Sequence, residues 1–566
     1  DPPSDIVAIE FFIEKGPHFG IFQEPSKSAK QKYSSIVHPN DVQKTQQQIN
    51  DGFLKKDRPK VYTDQRLLGG YLGNEVSKRK YIQEKVDKWV TLIHQLTKIA
   101  HNYPQEAYTA FTKSVQCEWQ YVQRTVQGCG PWFTPIEAAL NEMFLPALLK
   151  TTHITPQMRT LYALPVRFGG LGLADPTITA DASFKTSQIA TQHLAESIRQ
   201  SAKFTLKMHQ ESMQNAKKEY KKEKEEQHEK QLEAILPTLH EDQEKAVSRA
   251  VKHKTGAWLS AYPTARNGNV LSADEWRDGF SFRYGFEPKG LQQRCDGCGG
   301  AFDADHGLKC RKGGLIIRRH NDVTRELQRI AEMNWPGTVL EPIIRHGNSS
   351  LPEGDPNREG LVGDLLVRGG VHTPQTDAIL DVQVIYLNTA SRVKHNKNKR
   401  GRQKGKEKEE PNETANEESE EELSKEKEVK NEEKGNDAKG GWEEGVQGEK
   451  GKGRDAALAA LRRQEKWKES KHKKACEATR RDFIPFIVST DGCMGDAAQV
   501  FIKRISRKLS EKWQRAYSQV VGFLKARISI AILRASSHCL RGPRTRMQGT
   551  VCVMEDGAAL DVAMFL

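Results

Sequence analysis

Residues 361–368 read LVGDLLVR and residues 378–387 read AILDVQVIYL, and these two stretches decide the fold. Both are apolar at almost every position, which is typical of strands that are buried on both faces. The intervening residues 369–377 are long enough to join them as a hairpin. We therefore expect Asp364 and Asp381 to be carried into the interior of a sheet.

These two carboxylates need a partner, because an unpaired charge is costly to bury. A divalent metal ion shared by Asp364 and Asp381 would provide one. Such an ion would also polarise a phosphate and help to form hydroxide. The alternative is structural: one Asp caps a strand end and the other pairs with an Arg. The spacing alone leaves both interpretations open.

A second group of distinctive residues lies upstream, in the order Cys295-x2-Cys298-x7-His306-x3-Cys310. Three thiolates and one imidazole are a typical ligand set for structural Zn²⁺. Glycines within the segment allow the tight turns that wrap a backbone round a metal. The alternative is a chance cluster of reduced cysteines. We predict that the four residues form a zinc site.

Most of the chain upstream of the cysteines has helical periodicity, because apolar residues recur every three or four positions. Segment 164–176 is punctuated by glycine and breaks this pattern. The expected buried faces are Ile82, Val86, Trp89, Ile93 and Leu96, then Ala107, Phe111, Val115, Trp119 and Val122, then Ile136, Leu140, Phe144 and Leu148.

The composition excludes several classes of protein. Nine Cys among 566 residues do not make a disulfide framework. No apolar run approaches the ~18 residues of a membrane span, so we expect no membrane partner. Lys and Arg number 88 against 74 Asp and Glu, and the net charge of +14 favours nucleic acid or another anionic surface. The alternative is a basic tail on a protein of another class.

Part of the positive charge lies on a helix expected from about Asp496 to Ser518. Its basic residues include Lys503, Arg507 and Arg515, which are predicted to bind nucleic-acid phosphates. They are expected on an exposed face, opposite Ile505, Leu509 and Trp513.

Residues 395–455 have a different composition. Their only large apolar residues are Leu423, Val429, Trp442 and Val446, too few to offset the entropy of ordering. We expect a disordered insertion. Its basic run 397–406, KNKRGRQKGK, is either a nuclear import signal or a solvated basic patch.

Several motifs together carry a resemblance to a known family. They are PHFGIFQEPSKS (17–28), LLGGYLG (67–73), WxxGxxxRYGFEP (276–288), the Cys/His set, GGLIIRRHNDVTREL (313–327) and ATRRDFIPFIVSTDG (478–492). The chain resembles the C-terminal half of non-LTR-type retrotransposon proteins, which join a reverse transcriptase to a zinc-binding segment and a restriction-endonuclease-like domain. The resemblance covers most of the chain outside 203–254 and 395–455, and Trp276 to Glu326 is its most specific part.

The resemblance implies an α+β multidomain fold with a helical C-terminus. The implied divisions are a remnant of the reverse transcriptase palm (1–75), a helical thumb-like region (76–202), a charged helical linker (203–260), a zinc-binding segment (261–314), an α/β restriction-endonuclease-like core in two parts (315–394 and 456–492), the disordered insertion between them (395–455), a basic helical region (493–548) and a tail (549–566).

The resemblance also implies roles for single residues. Asp364 and Asp381 match the two acids that bind Mg²⁺ or Mn²⁺ in the endonuclease core. Glu341 matches a further acidic position, and His320 matches a position whose duty is less clear. Gly363 stands where the family usually has Pro before the first acid.

The family core also needs a Lys to position or activate water. This Lys usually lies two residues after the second acid, where this chain has Gln383. A downstream Lys takes over in this family, and Lys471 is the best match. Lys473 and Lys474 are close alternatives.

No Asp-Asp pair of the kind that holds polymerase metals occurs in the chain, although Lys27 matches a palm lysine. We therefore expect a chain that lacks its N-terminal polymerase portion. One hypothesis is an intracellular, nuclear endonuclease that nicks a DNA target to prime reverse transcription. The alternatives are a module that binds target DNA and element RNA without cutting, and a decayed element.

Overall fold

The structure is a computed structural model that describes residues 34–36, 39–52, 60–67, 69–200, 204–348, 350, 352, 358–371, 376–387 and 455–545. This part of the chain is mostly helical and contains one small mixed sheet. The predicted insertion 395–455 lies outside the described residues except for Asp455. Residues 17–28, the basic run 397–406 and the tail 549–566 also lie outside them.

Short strands and a helical bundle form the N-terminal half. The strands are β1 (Ser34–Ile36) and β2 (Lys60–Tyr62), which pair in parallel, and β3 (Gln65–Leu67) and β4 (Gly70–Leu72), which form an antiparallel hairpin. The helices are α1 (Val42–Gly52), α2 (Glu75–Ala100), α3 (Pro104–Ala110), α4 (Gln116–Thr125), α5 (Thr134–Ala139), α6 (Leu145–Leu149), α7 (Pro156–Ala163) and α8 (Pro176–Arg199).

The bundle is held together by the apolar faces that the sequence predicts. Every position named in those three faces is buried, so the predicted periodicity is confirmed. Phe111 and Phe144 sit in π-helical turns, and their ring centroids lie 5.1 Å apart in the centre of the core. Trp89 packs edge-on to Trp119 at 5.9 Å.

The glycine-rich segment 164–176 ends the helical pattern, as expected. Gly169 has a φ of 83°, which an L side chain rarely adopts. A Cβ on Gly170 would lie 1.9 Å from the carbonyl oxygen of Leu164. The backbone therefore folds back on itself more tightly here than any other residue would allow.

The charged segment forms the long helix α9 (Leu206–Ile235), which packs along α8 and keeps most of its residues exposed. Helix α10 (Glu241–His253) follows and packs on α11 (Ala273–Tyr284). Trp276 of α11 is fully buried and its ring packs against those of Tyr108 and Trp258. The segment after the bundle is therefore part of the same hydrophobic core.

The C-terminal half contains the mixed sheet. Its elements are α12 (Ala304–Lys309), α13 (Leu315–Glu332), β5 (Thr338–Leu340), β6 (Ile343–Arg345), β7 (Leu361–Val362), β8 (Leu365–Val367), β9 (Asp377–Ile385), α14 (Ala456–Ala478), β10 (Arg481–Ser489), α15 (Asp496–Trp513) and α16 (Tyr517–Arg541).

The sheet has the order β10-β9-β8-β5. Strands β5, β8 and β9 are antiparallel, with Leu365 opposite Leu380, whereas β10 runs parallel to β9. The parallel pair needs a crossover, which α14 provides by packing against β10. The predicted hairpin is therefore present, and β6 pairs with β7 as a separate short ribbon.

Helix α16 connects the two halves. Its Ile530 and Leu533 belong to the core of the bundle, whereas its Ile528 and Ile532 belong to the core around the sheet. The prediction of a helix over 496–518 is wrong at the C-terminal end. Helix α15 ends at Trp513, because Gln514 has a left-handed backbone with a φ of 51°. None of the described helices is long and apolar enough to cross a membrane.

Candidate functional site

The four predicted zinc ligands converge. One ligand atom from each of Cys295, Cys298, His306 and Cys310 lies within 4.8 Å of all the others. The Sγ atoms of Cys295 and Cys310 are 3.8 Å apart, and Cys298 Sγ is 3.3 Å from His306 Nε2. These spacings suit the corners of one tetrahedral site, so the set could hold a zinc ion.

Local structure places these ligands on a tight turn and a short helix. The N–H of Gly299 donates to the carbonyl of Cys295 at 2.8 Å, and Gly299 has a φ of 76°. His306 lies on α12, whose first turn is capped by the Asp303 carboxylate. Cys310 follows the end of that helix directly. The glycine turn and the helix cap therefore bring four ligands from a segment of sixteen residues close to one another.

The electrostatics of this cluster favour a thiolate at Cys295. Burial would raise the pKa of Cys295, but the backbone N–H groups of Cys298 and Gly297 and the ring of His306 lower it to about 6. A metal ligand must be deprotonated. Cys295 is therefore prepared for a cation, whereas burial raises the pKa of Cys310.

The zinc-binding segment is fastened to the end of α16. The backbone N–H of Arg544 donates to Asp296 Oδ2 at 2.7 Å, and its guanidinium donates to the Gly307 carbonyl at 2.9 Å. The same guanidinium lies 4.8 Å from the ring centroid of Phe302. The Cys/His set is therefore joined to the end of the C-terminal helix by these contacts.

The two predicted acids meet at one side of the sheet. Asp364 directly precedes β8, and its N–H donates to the Leu380 carbonyl at 3.1 Å. Asp381 follows on β9 and is 4% exposed. A Cβ on Gly363 would lie 2.5 Å from Ile379 Cγ2, so the position before Asp364 has no room for a side chain.

Three basic side chains surround these acids. His320 Nε2, on α13, lies 3.2 Å from Asp364 Oδ1. Lys468 Nζ, on α14, lies 2.9 Å from Asp381 Oδ1. His472 Nε2, one helical turn further on, lies 3.2 Å from Asp381 Oδ2. We refer to these five residues as the acidic site.

The structure corrects the predicted lysine. Lys471 is exposed and its Nζ lies 5.8 Å from the ring centroid of Trp467, while Lys473 and Lys474 are also exposed. The reason is helical geometry. Lys468 and His472 are four residues apart and so lie on the face that α14 turns to the sheet, whereas Lys471 is rotated away from it.

Glu341 contributes less to the acidic site than the resemblance predicts. Its N–H donates to the Asp364 carbonyl oxygen at 3.1 Å, so its backbone lies beside the first acid. Its side chain is exposed, and its φ of 50° is left-handed. Among the described residues, only the Cys/His set brings three or more potential metal ligands together. Glu341 therefore does not form a three-acid cluster with Asp364 and Asp381.

The pKa values in the acidic site diverge. Burial raises the pKa of Asp381 to about 6, with Lys468 lowering it and Asp364 raising it. Burial also acts on Asp364, but the hydrogen bond and charge of His320 prevail and lower its pKa. The same hydrogen bond raises the pKa of His320. Burial and the charges of Lys468 and Lys471 lower the pKa of His472 to about 4, so His472 is neutral at pH 7.

Of the three predicted phosphate-binding residues, Lys503 and Arg507 lie on an exposed face of α15 and Arg515 is exposed in the turn after it. Ile505 and Leu509 are buried on the opposite face of the helix. Trp513 differs from the expectation because it is 37% exposed and packs on Phe523.

Comparisons with models of known protein families and with curated proteins find no match to this chain.

Proposed function

We propose that this chain is a retrotransposon-derived nucleic-acid-binding protein whose acidic site is a metal-dependent DNA endonuclease centre. The observation that carries the proposal is the meeting of Asp364, Asp381 and Lys468 on neighbouring elements. Two carboxylates and one ammonium are the groups that phosphodiester hydrolysis uses. The order α13-β5-β8-β9-α14-β10 is compatible with the restriction-endonuclease-like core that the sequence resembles.

The residues of the acidic site fit a divalent ion. Asp381 Oδ2 is buried and accepts no hydrogen bond, although the Asp364 carboxylate beside it is ionised. A buried carboxylate oxygen without a partner is costly, and a cation would satisfy it. Asp364 and Asp381 would hold Mg²⁺ or Mn²⁺ there. The ion would polarise the scissile phosphate and favour a bound hydroxide.

The protein's own groups have separate tasks in this scheme. Lys468 Nζ contacts Asp381 at 2.9 Å, a position from which it would stabilise the charge that develops on the phosphate. His320 donates to Asp364 and so keeps that carboxylate ionised and correctly oriented. The Val382 N–H donates to the other Asp364 oxygen at 2.5 Å and fixes the carboxylate against β9.

The remaining parts of the chain would hold nucleic acid. The net charge of +14 and the exposed Lys503, Arg507 and Arg515 support contact with the phosphates of target DNA or element RNA. The Cys/His set would be a structural zinc centre. We further propose that the protein acts in the nucleus.

One observation favours a second function, that of a binding module without cleavage. Lys468 already neutralises Asp381 Oδ1, and His320 already neutralises Asp364. A site whose acids are paired with protein cations can be purely structural. In that case the zinc segment and the basic helices would bind nucleic acid while the sheet served as a scaffold.

Plasmid nicking distinguishes the two functions. The purified chain is incubated with supercoiled plasmid, with and without Mg²⁺ or Mn²⁺, beside Asp364→Ala and Asp381→Ala. The endonuclease proposal expects metal-dependent nicking that both variants abolish while DNA affinity stays nearly unchanged. Nicking that survives in either variant rejects the mechanism, and DNA binding without any nicking favours the binding module.

A further inference from the structure

His472 is buried at the centre of the acidic site, yet the proposed reaction assigns it no task. It is 4% exposed, and its ring stacks on Phe483 of β10 with centroids 5.4 Å apart and an interplanar angle of 11°. This stacking fixes the plane of the ring. The ring therefore presents Nε2 to Asp381 in one defined orientation.

The contact between the two side chains does not have the geometry of a hydrogen bond. His472 Nε2 lies 3.2 Å from Asp381 Oδ2, but that oxygen accepts no hydrogen bond. The N–H direction and the carboxylate oxygen therefore do not point at one another. Burying both groups in this way is costly unless something else satisfies them.

A metal ion placed between these atoms explains the arrangement. Two ligands at right angles round an ion at ~2.1 Å lie ~3.0 Å from each other, which is close to the observed separation. An ion bound to both atoms would also give the unpaired Asp381 Oδ2 a partner. Lys468 does not block that point, because it contacts the other oxygen of Asp381.

We propose that His472 is a nitrogen ligand of the divalent ion and that the acidic site selects Mn²⁺ over Mg²⁺. Imidazole suits transition metals, whereas Mg²⁺ prefers a shell made of oxygen and water. Asp381 Oδ2 and His472 Nε2 supply two adjacent ligands, and water fills the remaining positions. This inference rests on the metal site of the proposed function.

Pulsed electron paramagnetic resonance of bound Mn²⁺ tests the inference directly, because a coordinated imidazole gives a ¹⁴N coupling. The full chain, carrying one equivalent of zinc, is titrated with Mn²⁺ and separately with Mg²⁺ by calorimetry. We expect Mn²⁺ to bind at least tenfold more tightly than Mg²⁺, with ¹⁴N coupling in its spectrum. His472→Gln should lose the coupling and at least tenfold in Mn²⁺ affinity.

His101→Gln is the matched control, since His101 is exposed in the turn after α2 and should leave the coupling intact. His472→Asn serves as a second variant, and the melting temperature shows that each variant is folded. Three results overturn the inference: no Mn²⁺ bound, no ¹⁴N coupling in the wild-type chain, or coupling that persists in both His472 variants. Mn²⁺ bound through His472 without plasmid nicking would support this inference and reject the proposed function.

Discussion

Lys468 Nζ lies 2.9 Å from Asp381 Oδ1, although 87 residues separate the two positions in the sequence. The contact exists because α14 crosses from β9 to β10 and packs on the sheet. The long segment between β9 and α14 does not prevent it, since the entropy of closing a loop grows only logarithmically with length. Elements on both sides of residues 395–455 therefore build one site.

The zinc prediction is tested by metal content. Because all four ligand atoms converge within 4.8 Å, the purified chain should hold one zinc per molecule, measured by mass spectrometry of the metal. Cys298→Ser should lower this content severalfold, since three ligands bind zinc much more weakly than four. Cys117→Ser is the control, because Cys117 is an exposed cysteine away from the cluster.

The same variant should affect the C-terminal end of the chain. Arg544 is bonded to Asp296 and Gly307 within the zinc-binding segment, so loss of zinc should loosen both partners together. Limited proteolysis should then cut near residues 291–314 and after α16 at a faster rate. A wild-type chain that binds no zinc, or a Cys298→Ser chain that keeps it, would contradict the account.

Metal binding at the acidic site should depend on pH in a defined direction. Burial raises the pKa of Asp381 to about 6, so below pH 6 a proton occupies the carboxylate and competes with the ion. The Kd for Mn²⁺ should therefore rise about tenfold for each pH unit below that value and level off above it. Calorimetry between pH 5 and 8 measures this, with circular dichroism as a check on folding. A Kd that does not change between pH 5 and 7 would show that Asp381 is not a ligand.

The basic face of α15 should contribute to DNA affinity through charge. The double substitution Lys503→Glu with Arg507→Glu should weaken binding at least tenfold at low salt. It should also reduce the slope of log Kd against log salt by about one or more. The reason is that a variant with fewer phosphate contacts releases fewer counterions from the DNA when it binds. Fluorescence anisotropy with a labelled duplex gives both quantities.

The control for this experiment is Lys217→Glu with Lys221→Glu, which changes the net charge equally on the exposed face of α9. Equal losses of DNA affinity in the two double variants would show that DNA binding depends only on the net charge of the protein. An affinity that is independent of salt in the wild-type chain would point to a protein partner in place of DNA.

The helical bundle was predictable because its pattern is strong and local. Residues such as Trp89, Phe111 and Phe144 recur at helical spacing, and the structure buries all of them. The convergence of the Cys/His set was also predictable, since four potential ligands within sixteen residues leave few other arrangements. In both cases the information lies within a short stretch of sequence.

The acidic site was predictable only in part. The apolar strands predict two buried acids, and the structure buries Asp381 fully and Asp364 in part, but no local signal states which lysine reaches them. Lys468 lies in a run of charged residues and differs from Lys471 only in the face of α14 that it occupies. That face depends on the packing of α14 against β10, which is a tertiary property. The i, i+4 spacing of Lys468 and His472 with Cys476 was the signal available to find it.

The most direct test of the account compares Lys468→Ala with Lys471→Ala in the plasmid-nicking assay with Mn²⁺. Both variants remove one ammonium from α14, but only Lys468 contacts Asp381. The account predicts that Lys468→Ala lowers the nicking rate on the order of 10²-fold, as loss of one charge-stabilising group does, while Lys471→Ala stays within about twofold of the wild type. Equal rates for the two variants, or a larger loss in Lys471→Ala, would contradict it.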